Sequence, residues 1–156
     1  MLIFGRDALI AEWVSNRIPF VRGRGFGTNI KAIGVADKDG NALAGVVFHD
    51  FNPDFLTISF SIAAETPRWA TRRTIAALLM YPFEDAGVQK LWTITPHKNE
   101  RALRLIEFVG FKRESVMARQ FGRNEHAIIS RMFVEDYNRL YKDKVDGLKA
   151  VRANAA

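Results

Sequence analysis

The segment Lys90–Phe111, KLWTITPHKNERALRLIEFVGF, changes its hydrophobic period midway, and that change decides the fold. Lys90–Thr95 is a short apolar run with β-branched residues, the composition of a largely buried strand. From Asn99 to Val109 the apolar residues recur at helical steps. Ala102, Leu103, Ile106 and Val109 fall on one side, and Glu100, Arg101, Arg104 and Glu107 on the other. Asn99 suits an N-cap, and Gly110 closes the helix because it alone adopts a left-handed C-cap without a Cβ clash.

Upstream, helical spacing of Leu9, Ile10, Trp13 and Val14 predicts a helix over Asp7–Asn16, stopped by Pro19. Arg17–Lys31 holds four basic residues, three glycines and no acid, and reads as an irregular basic loop. Strand periodicity then begins. AIGVA, the Asp39-Gly40 turn, LAGVVFHDF, the Asn52-Pro53-Asp54 turn and FLTISFSI make a three-stranded antiparallel meander. In its third strand Leu56, Ile58, Phe60 and Ile62 share one face, and Thr57, Ser59 and Ser61 the other. A second helix carries Ile75, Leu78, Leu79, Phe83 and Ala86; Pro82 inside it predicts a kink or a restart. Downstream of the quoted segment come FKRESVMARQF and HAIISRMFV as a hairpin, then a polar helix from Glu135 to about Lys144. The pattern predicts a single mixed α+β domain over residues 1–146, with a mostly antiparallel twisted sheet of about six strands flanked by helices. Residues 147–156 are expected to fray for want of apolar surface.

Composition narrows the function. With 23 Lys+Arg against 17 Asp+Glu, the chain carries formal charge +6, which attracts phosphates, acidic substrates or nucleic acid without choosing among them. It has no cysteine, so disulfides, thiolate metal sites, iron–sulfur clusters and cysteine nucleophiles are excluded. No apolar run is long enough to span a bilayer, and a soluble, cytoplasmic protein without a membrane partner is expected. His49, His97 and His126 lack metal-ligand spacing, so no metal is expected.

The strand KLWTIT, Asn99-x-x-Ala102 and the Gly110-Phe111 pair, with the element order across Ile30–Met132, resemble the GNAT superfamily of acyl-CoA N-acyltransferases. The resemblance is closest to ribosomal-protein N-terminal acetyltransferases and small phage and prophage GNAT-like proteins. It implies transfer of an acetyl group from acetyl-CoA to a primary amine of a protein, peptide or small molecule by direct attack on the thioester. It also implies coenzyme contacts from the backbone of Ile62, Ala63 and Ala64, from the strand-to-helix turn Trp69-Ala70-Thr71-Arg72-Arg73-Thr74, and from Asn99. The family's pattern in that turn is R/Q-x-x-G-x-G/A, and both small positions are replaced here. Arg68, Arg72 and Arg73 stand at the helix start instead, where their charge adds to the helix dipole in holding an anion. The tyrosine that many members place seven residues after the Asn is Ile106 here.

Deprotonating the amine calls for a base, and the candidates are His49, Asp50, Glu65 and His97. Alternation sets His49 on the face of Val47 and Phe51, where it also serves as a core-edge histidine; Glu65 and Asp50 suit turns as well. The resemblance implies that the loop Arg22–Gly27 borders the acceptor groove, where its charge would favour acidic or phosphorylated acceptors; a merely flexible loop fits the same residues equally well. A different reading makes the chain a non-catalytic GNAT-like binding protein whose basic surface grips a protein or nucleic acid. The unpaired edge of the final hairpin offers a homodimer contact.

Overall fold

The computed structural model describes residues 1–155 and divides into two compact units between Thr74 and Ile75. In the first, the antiparallel strands β1 (Leu2–Ile3), β2 (Lys31–Ala36), β3 (Ala42–Asn52) and β4 (Thr57–Ala64) lie side by side in chain order. Helix α1 (Asp7–Ser15) packs Ile10, Ala11 and Val14 against Ala32 and Val47. The helix comes close to β3 at Gly45, where an added Cβ would stand 2.7 Å from Val14 Cγ2. A 3-10 turn, Pro67–Trp69, then leads to α2 (Arg72–Met80).

Pro82 lacks the N–H that would continue α2, and the chain answers with one wide turn, Tyr81–Asp85, closed by the Ala86 N–H on the Tyr81 carbonyl. The second unit continues with β5 (Lys90–Pro96), α3 (Glu100–Val109), β6 (Lys112–Met117), β7 (Ala127–Phe133) and α4 (Val134–Ala155). β7 pairs antiparallel with both β5 and β6. Asn99 caps α3 by accepting the Ala102 N–H, and Gly110 ends it at φ 118°.

The fold class is the expected one: mixed α+β, with antiparallel strands throughout each unit and flanking helices. Two expectations are corrected. There are seven strands among the described residues, the additional one being β1, whose two residues are too few to show a period. The expected frayed segment from residue 147 is helical to Ala155. Its apolar content is low, but Val145 is buried and Lys149 reaches back to Glu84, which also accepts from Tyr137. These contacts pin the far end of α4, and Tyr137 stacks on Phe83 at 4.6 Å. Ala156 lies outside the described residues.

Candidate active site

β3 and β4 are paired so that His49 stands opposite Ser59 and Val47 opposite Ser61. A regular strand would turn Asp50 to the other face from His49. It does not, because β3 bulges between His49 and Asn52 and Asp50 adopts φ 53°, a left-handed conformation that aspartate tolerates. The bulge swings the Asp50 carboxylate back onto its neighbour: Oδ2 lies 2.7 Å from His49 Nδ1. On the opposite side of the ring, His49 Nε2 lies 2.9 Å from Ser61 Oγ. Ser59 Oγ completes the cluster, 2.9 Å from His49 Nδ1 and 3.1 Å from Asp50 Oδ2. From the basic loop, Phe26 lays its ring against the His49 imidazole, centroids 5.1 Å apart.

This geometry selects a tautomer. A carboxylate accepts only, so Nδ1 carries the proton and Nε2 keeps a lone pair facing the Ser61 hydroxyl. The His49 side chain is 16% exposed and its Asp50 partner 69%. An imidazole that is largely enclosed, held in one tautomer and backed by a solvated carboxylate can take up a proton at Nε2 and return it.

The other candidate bases are differently placed. Glu65 is bound by Arg17 at 2.7 Å, and the Arg17 guanidinium also lies over Trp13. In the second unit, His97 Nδ1 accepts the His126 N–H at 2.9 Å, and His126 Nδ1 accepts the Arg119 N–H at 2.8 Å. Both rings therefore carry their proton on Nε2, the reverse of His49. Asn99 spends its side-chain oxygen on the helix cap. Ile106, where many members of the family that the sequence resembles have tyrosine, is buried at 6% exposure and offers no proton.

Around the end of β4, the Glu65 N–H donates to the Leu43 carbonyl. Ladder alternation then assigns the Ala63 N–H to β3 and turns the N–H groups of Ile62 and Ala64 toward the opposite edge of the strand. In the turn that follows, Thr71 caps α2 by accepting the Thr74 N–H at 3.1 Å, and its hydroxyl donates to the Thr74 hydroxyl. No residue from Trp69 to Thr74 has a positive φ. The glycines absent from this segment are not required by its backbone, because a capped helix start replaces a left-handed loop. The Arg72 and Arg73 side chains are exposed, whereas Trp69 is buried and its indole N–H meets no acceptor in the protein.

A groove of about 680 Å³ runs between α1 and the loop, lined by Asp7, Glu12, Ser15, Arg24, Phe26 and neighbours. Its charged lining is Asp7, Glu12 and Arg24, and Asp7 is paired with Lys31 at 3.7 Å; Arg17 turns to Glu65 and Arg22 to the Asn16 carbonyl. Among the described residues no cluster of potential ligands would hold a metal ion, and no helix is long and apolar enough to cross a membrane.

No protein-family profile and no curated protein sequence matches the chain. Solved structures do. A chimera of the Vibrio cholerae spermidine N-acetyltransferase SpeG and hSSAT superposes with TM-score 0.69 at 19% identity, over 89% of this chain and 99% of that one. The Vibrio cholerae spermidine/spermine N-acetyltransferase SpeG in complex with manganese ions gives 0.69 at 18%, over 89% and 95%. The chain has the GNAT fold. A second SpeG–hSSAT chimera matches at TM-score 0.62 and 21% identity over 69% of each chain. His49 lies on the strand paired with β4.

Proposed function

We propose that this chain is an acetyl-CoA-dependent N-acetyltransferase acting on a primary amine, with His49 as general base. The observation that carries the reading is the His49 tautomer: Asp50 holds Nδ1–H, leaving the Nε2 lone pair available on a GNAT scaffold. The residues present fit the coenzyme. Ile62 and Ala64 offer N–H groups that the β3 ladder does not use, Ala63 and Ala64 are small enough for close approach, and the capped α2 start with Arg72 and Arg73 suits a pyrophosphate. The buried Trp69 N–H, without an acceptor in the protein, is a further donor beside that turn. Thr71 and Thr74 shape the turn and Ala70 joins it to Trp69.

Bound acetyl-CoA supplies the thioester carbonyl as electrophile. The chain's part is to deprotonate and orient the amine and to polarise the carbonyl oxygen with backbone donors. An amine entering near neutral pH is mostly ammonium; its proton passes to His49 Nε2, directly or through the Ser61 hydroxyl, and the resulting imidazolium is stabilised by Asp50 at 2.7 Å. The structural neighbours are spermidine N-acetyltransferases, which supports an amine of the polyamine type, and a peptide or protein amine remains within the same chemistry.

The test is release of free coenzyme A from acetyl-CoA with a panel of amines: spermidine, spermine, lysine-containing peptides and peptides with free N-termini. At least one amine is expected to raise turnover well above the hydrolysis background, with His49→Ala lowering it by about 10²-fold or more. Binding of nucleic acid or protein without acetyl-CoA turnover would favour the non-catalytic reading instead.

A further inference from the structure

The cluster around His49 contains more than a base needs. Ser61 Oγ lies 2.9 Å from Nε2 and Asp50 Oδ2 lies 2.7 Å from Nδ1, so serine, imidazole and carboxylate are connected in the order of a nucleophilic triad. The carboxylate is steadied in turn by the Ser59 hydroxyl at 3.1 Å. The Ile62 N–H, immediately after the serine, is not used by the β3 ladder and is the backbone donor adjacent in sequence to the nucleophile. Ser61 is only half-buried, so a small acyl group can reach it.

We propose that Ser61 is a nucleophile, giving the protein a second activity: hydrolysis of small activated acyl esters through an acyl-serine. In the first step the Ser61 Oγ–C bond forms, the bond from the carbonyl carbon to the leaving oxygen breaks, and the serine proton moves to His49 Nε2 and on to the leaving group. In the second, water attacks the acyl-serine, its proton passes to Nε2, and Ser61 is regenerated with release of the acid. Asp50 keeps Nε2 able to accept in both steps. This activity does not require coenzyme A and stands independently of the acetyltransferase reading.

The experiment uses the full chain with two probes, p-nitrophenyl acetate and a fluorophosphonate. The folded protein is expected to take one phosphonate, mapped to Ser61 by peptide mass spectrometry, and to hydrolyse p-nitrophenyl acetate at least about tenfold faster than Ser61→Ala. His49→Ala should lose the adduct while keeping its thermal midpoint. Ser61→Cys provides a second variant, expected to retain a detectable acetyl-cysteine after brief exposure to the ester. Absence of an adduct on Ser61, or equal ester hydrolysis by wild type and Ser61→Ala, overturns the proposal. Acetyl-CoA binding is measured on the same preparations: its absence would end the acetyltransferase reading alone, whereas the adduct and the ester hydrolysis decide the role of Ser61.

Discussion

The tautomer of His49 can be read directly, and it is where the account is most exposed. The chain has three histidines, and the structure assigns them opposite protonation patterns: Nδ1–H for His49, Nε2–H for His97 and His126. The perturbation is Asp50→Asn, chosen because asparagine also tolerates the φ of 53° at this bulge. In the wild type the 2.7 Å contact is within the range of a charge-assisted bond. Such bonds contribute roughly 1.5–3 kcal/mol. With the Asp50 side chain 69% exposed, solvent screening brings this to about 1 kcal/mol. That favours the Nδ1–H tautomer about fivefold. Asparagine can present either its oxygen or its NH₂ to Nδ1, so the ratio should fall toward one. The assay is a long-range ¹H–¹⁵N correlation spectrum of the imidazoles, recorded at rising pH until the patterns no longer change. His49 should show a protonated Nδ1 that becomes mixed in Asp50→Asn, while His97 and His126 stay unchanged as internal references. A wild-type His49 protonated on Nε2 would refute the reasoning, and with it the base.

Three further outcomes follow from the packing and charge. Gly45→Ala places a methyl 2.7 Å from Val14 Cγ2 and 3.2 Å from Ile10 Cγ2, so calorimetry should show a loss of about 1–3 kcal/mol. Gly34→Ala, whose nearest contacts are 3.4 Å, should lose less. The Lys149 ammonium, and then the Tyr137 hydroxyl, hold the Glu84 carboxyl below the usual carboxylate range. A depressed folded value means the contribution is present above the unfolded pKa and lost as pH falls through the folded one. The thermal-midpoint gap between wild type and Glu84→Gln should therefore be steady near neutrality and shrink below about pH 4.5; a gap independent of pH would contradict the ion pair. Arg72→Glu combined with Arg73→Glu should weaken acetyl-CoA at least about tenfold in a titration.

Much of the fold was legible because its signals are local. Asn99 and Gly110 bracket α3 with caps that need no tertiary partner, and Pro82 forces the break after Met80 by chemistry alone. What escaped depends on distant contacts. Residues 147–155 look too polar to order, and only the reach of Lys149 to Glu84 shows why they stay helical. The candidate site was half legible. His49, Asp50, Ser59 and Ser61 were each visible in the sequence, and pairing β3 with β4 across the hairpin turn would have set His49 against Ser59. That Asp50 joins them was not, because strict alternation sends it to the opposite face and the bulge that reverses it has no sequence mark beyond an aspartate able to sit at positive φ. In the α2 turn the replaced small positions stand out in the sequence, whereas the Thr71 cap that orders the helix start without them shows only in the structure.

The central claim is that this chain binds acetyl-CoA, and the most direct measurement is its thermal midpoint with and without the coenzyme. A ligand that binds only the folded state adds about 2.7 kcal/mol at a concentration 100 times its Kd. For a chain of 156 residues this corresponds to a rise of roughly 5–10 °C. The account predicts that rise with acetyl-CoA, reduced in the Arg72→Glu/Arg73→Glu variant. An unchanged midpoint at millimolar acetyl-CoA would contradict it.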